Sequence, residues 1–367
     1  YKNIENFQMG ITNKFAEYIS YGLPIILTTD GYMKKLAEEG YLVIQSTHNP
    51  EHAFLFADQT LALLEGKVQL EEHFCDDPMQ GLDAIKDADG IILGNQKLGA
   101  SVIEQCPKLR LIAKQGSGFD NIDIAAATKR GIPVVISAGI NAEAVAEHVM
   151  MLMLATSRRL HKYDLAVRGG NFAQRSTCEE LELRGKLLGL IGYGKIGRAV
   201  ASFASAFGMR ISVFDPYFSA QDAANEHVLR FETIQELLEQ SDVVSVHVPL
   251  TNETRGLLGA AQIERMKQDA ILVNCARGGI VDETALYNAI ASGRVFGAGI
   301  DVYAQEPASA ENPLFTLEQV VATPHSAALT RESSAAMSRM TAEGILHVLA
   351  GEKWTCVANP DVYNIDN

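Results

Sequence analysis

The strongest constraint on this chain is a rhythm. Short segments that are apolar on both faces recur, and a helical stretch follows each one. The clearest are Lys186–Ile191 (KLLGLI), Arg210–Phe214 (RISVF), Val243–Val248 (VVSVHV), Ala270–Asn274 (AILVN), Gly297–Ile300 (GAGI) and Val320–Ala322 (VVA). Arg198–Phe207, Thr233–Gln240 and Asp282–Ser292 read as helices between them. Strands without a polar face need cover on both sides, and alternation with helices makes them parallel. A second set lies upstream, at Ile25–Thr29, Tyr41–Ile44, Gly90–Leu93, Leu109–Lys114 and Pro133–Ile136. The pattern predicts an α/β chain with two doubly wound parallel-sheet domains. The length of 367 residues fits two domains better than one. A long helix is expected over Ala142–Leu160, capped by Asn141, and a final one over Arg331–Ala350.

Composition narrows the functional classes. Lys and Arg total 31 against 45 Asp and Glu, giving a net charge of −14. That balance argues against nucleic acid or an anionic membrane surface as partner. No stretch approaches the roughly 20 apolar residues of a membrane span, and the start carries no signal-peptide pattern. The five cysteines (Cys75, Cys106, Cys178, Cys275, Cys356) are scattered, with no CxxC. A reducing cytoplasm is expected, without a disulfide framework or thiolate metal site. The nine histidines show no HExxH spacing, so no metal is expected.

Gly192-Tyr193-Gly194-Lys195-Ile196-Gly197 is a GxGxxG sequence between a strand and a helix. The first glycine makes the tight turn and the second admits a pyrophosphate close to the backbone. The third lets the helix pack closely, and the helix N-terminus attracts phosphate charge. Asp215 ends the next strand, where a carboxylate binds ribose hydroxyls and repels a 2′-phosphate. The expected cofactor is therefore NAD. Three further segments follow later strands: Asn274–Glu283, Asp301–Pro307 and Thr323–Ser326. Ligands bind beyond the carboxyl ends of parallel strands, so all three should face one crevice with the glycine loop.

From about Gly81 to Tyr363 these motifs, in this order, resemble the D-isomer-specific 2-hydroxyacid dehydrogenases, closest in wording to the phosphoglycerate dehydrogenases. The resemblance implies a Rossmann cofactor domain and a split, flavodoxin-like substrate domain with a cleft between them. The substrate domain is expected over 1–138 and 323–367, and the cofactor domain over 139–322. Arg277, Glu306 and His325 match the residues that carry the chemistry. A histidine near neutrality suits the base that takes a hydroxyl proton. Glu306 would fix its tautomer and keep a proton available for reduction. Arg277 would hold the substrate carboxylate and polarise the keto oxygen. Ser117 and Gly118 match the loop whose amides bind that carboxylate. Asp301 matches a nicotinamide-amide ligand, and Val248, Pro249, Cys275 and Ala276 match cofactor-lining positions. Cys275 has no partnered base beside it, which favours a lining role over a nucleophile. Glu147-His148, mid-helix among apolar residues, reads as a packing or interface element.

The chain also departs from that pattern. Phosphoglycerate enzymes carry an arginine after the strand matching Gly90–Leu93, whereas here Gly94-Asn95-Gln96-Lys97 follows, leaving only the Lys97 point charge. The expected reaction is interconversion of a D-2-hydroxy acid and its 2-keto acid, of the 3-phosphoglycerate, glycerate/hydroxypyruvate or glyoxylate type. An alternative of another class is an NAD(H)-sensing module like the dehydrogenase-related corepressors, whose wording Gly116–Asp123 (GSGFDNID) also resembles. Residues 1–70 are atypical. Asn13–Ile25 resembles the nucleotide-sugar half of retaining glycosyltransferases, with Glu17 at the donor-binding position, and is read as a remnant or divergent arm. The run Met150-Met151-Leu152-Met153 leaves the long helix two outcomes, core or homodimer interface, and the resemblance favours the interface.

Overall fold

A computed structural model describes the strands at 42–46 and 70–74, residues 64, 79, 81–94 and 96–364. The segments read at Ile25–Thr29 and around Glu17 lie outside the described residues. The chain divides into two compact units, Gly139–Ser333 and Tyr1–Ala138 with Ser334–Asn367.

Gly139–Ser333 holds a seven-stranded parallel sheet. Its strands are β6 (Leu187–Ile191), β7 (Arg210–Phe214), β8 (Leu229–Arg230), β9 (Val243–Val246), β10 (Ile271–Asn274), β11 (Gly297–Ile300) and β12 (Val320–Ala322). They lie in the order β12-β11-β10-β9-β6-β7-β8, so the direction of winding reverses between β6 and β9. The two-residue period of a strand explains the double cover. Leu187 and Ile191 join Leu237, Leu238, Ile263, Leu272 and Leu286 on one face. Leu188 and Leu190 join Val149, Leu152, Met153, Val200 and Ala204 on the other. Helix starts follow their caps. The Thr233 side chain and Glu236 form a reciprocal capping box at Ile234–Gln240, and Asp282 accepts from the Ala285 amide at Glu283–Ala291.

Three expectations need correction. The long helix runs only over Ala142–Ser157 and stops where Arg159 turns left-handed (φ 51°), after which a shorter helix covers Leu160–Arg168. Asn141 stands at the start of the long helix but makes no side-chain cap to it. The second crossing between units falls at Ser333/Ser334 and not after Ala322. The reason is polar: the Thr323–Ala327 turn hydrogen-bonds to Asp301, which ties it to the seven-stranded sheet.

The other unit holds five parallel strands, β1 (Leu42–Ser46), β2 (Leu70–Phe74), β3 (Gly90–Leu93), β4 (Leu111–Lys114) and β5 (Val134–Ile136), ordered β2-β1-β3-β4-β5. Ile91, Leu93 and Ile112 pack on one face with Val102, Ile103 and Val134. Ile92, Leu111 and Ala113 pack on the other with Ala342, Ile345 and Val348 of the last helix, Arg331–Leu349. Strand β2 (LEEHF) was not anticipated, because Glu71, Glu72 and His73 interrupt the apolar signal of an edge strand.

Candidate active site

The glycine loop follows β6 directly. Gly192 has φ 94°, and a Cβ there would meet the His247 carbonyl oxygen at 2.6 Å. A Cβ on Gly197 would meet the Gly192 carbonyl oxygen at 2.6 Å, whereas Gly194 faces open space. Two glycines are thus required by close packing and the third leaves the approach to the N-terminus of helix Lys195–Ala206 clear. Lys195 is exposed and Ile196 half-buried at that start. Asp215 reaches back from β7 and accepts from the Tyr193 amide at 2.7 Å and the Tyr217 amide at 2.8 Å. This places a half-buried carboxylate beside the loop, where it fits a diol and disfavours a phosphate.

Beyond the carboxyl ends of β10, β11 and β12 lie Arg277, Glu306 and His325, as the topology requires. His325 Nδ1 donates to Glu306 Oε2 at 2.6 Å, while the other Glu306 oxygen accepts from the Tyr303 amide at 2.9 Å. The carboxylate therefore fixes the ring tautomer, with Nε2 turned to other work. The His325 and Glu306 side chains are 39% and 28% exposed, so the couple is reachable by a solute. Asn274, buried at the end of β10, accepts from the Ala276 amide and donates to the Arg277 carbonyl, which sets the turn under the guanidinium. A Cβ on Gly278 would lie 1.7 Å from the Tyr303 carbonyl oxygen, so the arginine and glutamate loops touch backbone to backbone.

Asp301 is wholly buried. Its carboxylate accepts from the Thr323 hydroxyl at 2.6 Å and from the Ser326 and Ala327 amides at 2.9 Å each. Burial works to raise its pKa, but these bonds, with His148, outweigh it and hold the carboxyl below its usual value. His325 sits between these anchors at φ 51°, and its amide donates to the Asp301 carbonyl at 2.7 Å. A left-handed non-glycine residue costs roughly 1–3 kcal/mol and persists where its surroundings over-determine it.

The remaining positions distribute as follows. Val248 is half-buried, Pro249 exposed, Cys275 buried and Ala276 half-buried, all just past β9 and β10. Burial pushes the Cys275 thiol well above its ordinary pKa, as suits a lining residue. Ser117 and Gly118 follow β4 in the five-stranded unit and are half-buried. Their loop is tied by the Gly116 amide donating to Ser137 Oγ at 3.3 Å and by Gln115 Nε2 donating to Ser338 Oγ at 3.1 Å. Among the described residues no cluster of His, Cys, Asp and Glu is arranged to hold a metal ion. Two polar residues at the site were missed. His148, read as packing, lies 2.9 Å from Thr323 Oγ1 and 3.5 Å from Asp301 Oδ1. Glu283 accepts from the Ala304 amide and from Asn312, holding the Glu306 loop from below. A polar residue on an otherwise buried helix face was the available signal for His148.

Comparison with known proteins agrees with this geometry. Residues 150–327 match the family model "D-isomer specific 2-hydroxyacid dehydrogenase, NAD binding domain". The chain is 43% identical over 279 residues to a D-3-phosphoglycerate dehydrogenase of Methanocaldococcus jannaschii, covering 76% of this chain and only 53% of that protein. It thus spans about half the length of that relative. It is 38% identical over 313 residues to a glyoxylate reductase of Korarchaeum cryptofilum, covering 82% of this chain and 94% of the relative. A solved D-lactate dehydrogenase of Aquifex aeolicus, complexed with NAD and lactic acid, superposes with a TM-score of 0.75 at 30% identity, covering 85% of this chain and 96% of the other. The chain belongs to the D-isomer specific 2-hydroxyacid dehydrogenase family.

Proposed function

We propose that this chain is an NAD-dependent oxidoreductase that interconverts a D-2-hydroxy acid and its 2-keto acid. The observation that carries the reading is the 2.6 Å His325–Glu306 couple beside the Arg277 turn, on adjacent strand ends of the sheet that bears the glycine loop. Gly192, Gly194 and Gly197 would take the pyrophosphate and Asp215 the ribose; Val248, Pro249, Cys275 and Ala276 would line the cofactor, and Asp301 would meet its amide. When bound, NADH supplies the hydride. The protein's own residues do the rest. Arg277 binds the substrate carboxylate and draws charge from the carbonyl, a task suited to a permanently charged fork. His325 delivers a proton from Nε2 to the carbonyl oxygen in reduction and takes it back in oxidation, while Glu306 steadies the imidazolium through Nδ1. The amides of Ser117 and Gly118 provide neutral donors for the carboxylate.

The substrate is proposed to be small and without a phosphate, of the glyoxylate or hydroxypyruvate type. Lys97, exposed, is the single cation in Gly94-Asn95-Gln96-Lys97, and Lys114 is buried and donates to the Gly94 carbonyl. The free thiols Cys106, Cys178, Cys275 and Cys356 suit a reducing cytoplasm. A homodimer through the helix at Ala142 is also proposed. Met150, Leu152 and Met153 go into the core, and 43%-exposed Met151 remains outside. It lines an apolar groove with Leu154, Phe203 and Phe207, and Leu165, Val167 and Phe172 are exposed as well. Such a surface calls for cover.

The test is NADH consumption with glyoxylate, hydroxypyruvate, pyruvate and 3-phosphohydroxypyruvate. Turnover of one or more supports the reaction, and preference for the phosphorylated acid would overturn the substrate assignment. NADH binding without turnover of any would replace the enzyme by an NAD(H)-sensing module.

A further inference from the structure

We infer that His148 is a positioning residue for the proposed reaction: it acts through Thr323 and Asp301 to hold the turn that carries His325. This rests on the reading of His325 as the proton donor, and it adds a residue from a distant helix to that machinery.

The hydrogen-bond inventory fixes the direction of the chain of contacts. A threonine hydroxyl has one proton to give. Thr323 Oγ1 lies 2.6 Å from Asp301 Oδ1, and a carboxylate held ionised can only accept, so the hydroxyl proton points there. His148 Nε2, 2.9 Å from the same hydroxyl oxygen, must then be the donor, with its proton on Nε2. The relay runs from His148 to Thr323 to Asp301. Asp301 also accepts from the Ser326 amide at Oδ1 and the Ala327 amide at Oδ2, the two residues immediately after His325. With the Thr323 side chain oriented, the carboxylate is clamped from both ends of one short turn.

Packing makes the relay rigid. His148 is on the helix Ala142–Ser157, whose neighbours Val145, Val149 and Leu152 are buried against the sheet. Its side chain is 15% exposed, while that of Asp301 is not exposed at all. The polar pair is thus enclosed, and a buried acceptor that loses a donor carries an uncompensated cost. The unusual backbone of His325, at φ 51°, gives that cost somewhere to go: the turn relaxes and the imidazole shifts against Glu306.

The experiment is a double-mutant cycle with rescue. His148→Leu and Thr323→Val are each expected to lower kcat on the order of 10–100-fold, the scale of a misplaced catalytic group. NADH binding, read by fluorescence, should persist. Because both act on one relay, the double variant should lose little more than either single. His148→Gln, which keeps a side-chain donor, and Thr323→Ser, which keeps the hydroxyl, should restore most of kcat. Multiplying losses, or failure of the two conservative variants to rescue folded protein, would overturn the relay. If the unaltered chain turns over no keto acid, the proposed reaction fails, and imidazole ¹⁵N shifts decide the relay on their own. His325 signals displaced by Thr323→Val support it, and unmoved signals overturn it.

Discussion

The carboxyl ends of the two sheets carry the two kinds of proposed substrate contact, and they are built differently. Past β11 and β12 of the seven-stranded sheet, one buried carboxylate accepts a hydroxyl and two amides, another holds an imidazole, and a third side chain, Glu283, braces the loop between them. Past β4 of the five-stranded sheet, the Gln115–Gly118 loop is held by neutral hydroxyl contacts, Gly116 to Ser137 and Gln115 to Ser338. The difference follows from what each end must present. A proton-transfer group needs one ring orientation, and charge-assisted bonds are the strong way to impose it. An anion-binding backbone needs only a permitted path for its amides, and a glycine such as Gly116, at φ 110°, supplies that path.

The comparison breaks first at His325. His325→Ala is expected to cut turnover on the order of 10²–10⁴-fold, the range for a general acid–base group. NADH binding should survive, since the glycine loop and Asp215 are untouched. Ser117→Ala should do far less, because the proposed donor there is the backbone amide. Equal losses from the two, measured as kcat/KM for the preferred keto acid, would erase the distinction between side-chain and backbone chemistry.

Next comes the backbone contact that joins the Arg277 and Glu306 loops. Gly278→Ala puts a carbon 1.7 Å from the Tyr303 carbonyl oxygen, which cannot be relieved by a rotamer change. A loss above about 4 kcal/mol is expected, the exceptional range for single substitutions. Gly116→Ala meets nothing within 4 Å and bears only the cost of its φ, about 1–3 kcal/mol. Denaturant melts of the two variants rank the loops by rigidity, and a smaller loss at Gly278 than at Gly116 would reverse the comparison.

These contrasts also mark what was legible in the residues. The glycine loop, Asp215 and the three loops past β10, β11 and β12 could be placed from strand endings alone, because a parallel sheet puts every such ending on one edge. The Ala142 helix was found, but its break at Arg159 was not, since no glycine or proline marks it. β2 was missed because its Glu71-Glu72-His73 core is polar, as an edge strand tolerates. His148, a polar residue on a buried helix face, and Glu283, the end of the Asn274–Glu283 segment, carry a signal in one dimension, but their roles do not. Their partners Thr323 and Asn312 lie 175 and 29 positions away, and only the fold brings them together.

Acid tests the charged side of the comparison. Burial holds His247, just past β9, down to about 4 from its ordinary value of 6.5. The folded chain therefore refuses a proton that the unfolded chain accepts between those values. Stability is level above about 6.5 and falls as the pH drops towards about 4, by at most roughly 1.4 kcal/mol per pH unit from this group. Asp301 adds to the loss at lower pH, because its carboxyl is held low in the fold and its contribution goes as it protonates. Melts between pH 7.5 and 5 should show the slope, and His247→Gln should flatten it. An unchanged slope in that variant would remove His247 as the cause.

The smallest expected effect sharpens the neutral side. Ser137 is fully buried, with its Oγ accepting from the Gly116 amide and lying 2.9 Å from Thr341 Oγ1. Ser137→Ala deprives both groups of this partner inside the protein, which costs about 1–3 kcal/mol when a buried polar group is left unsatisfied. Adding Thr341→Val removes one of the two orphans, so the double variant should recover part of the loss, while the Gly116 amide still lacks its acceptor. Since that amide begins the proposed carboxylate loop, KM for the keto acid should rise in both variants with kcat and its pH profile unchanged. A fall in kcat with KM constant would mean that the neutral loop orients the reacting atoms as well, and that the two sheet ends share one task.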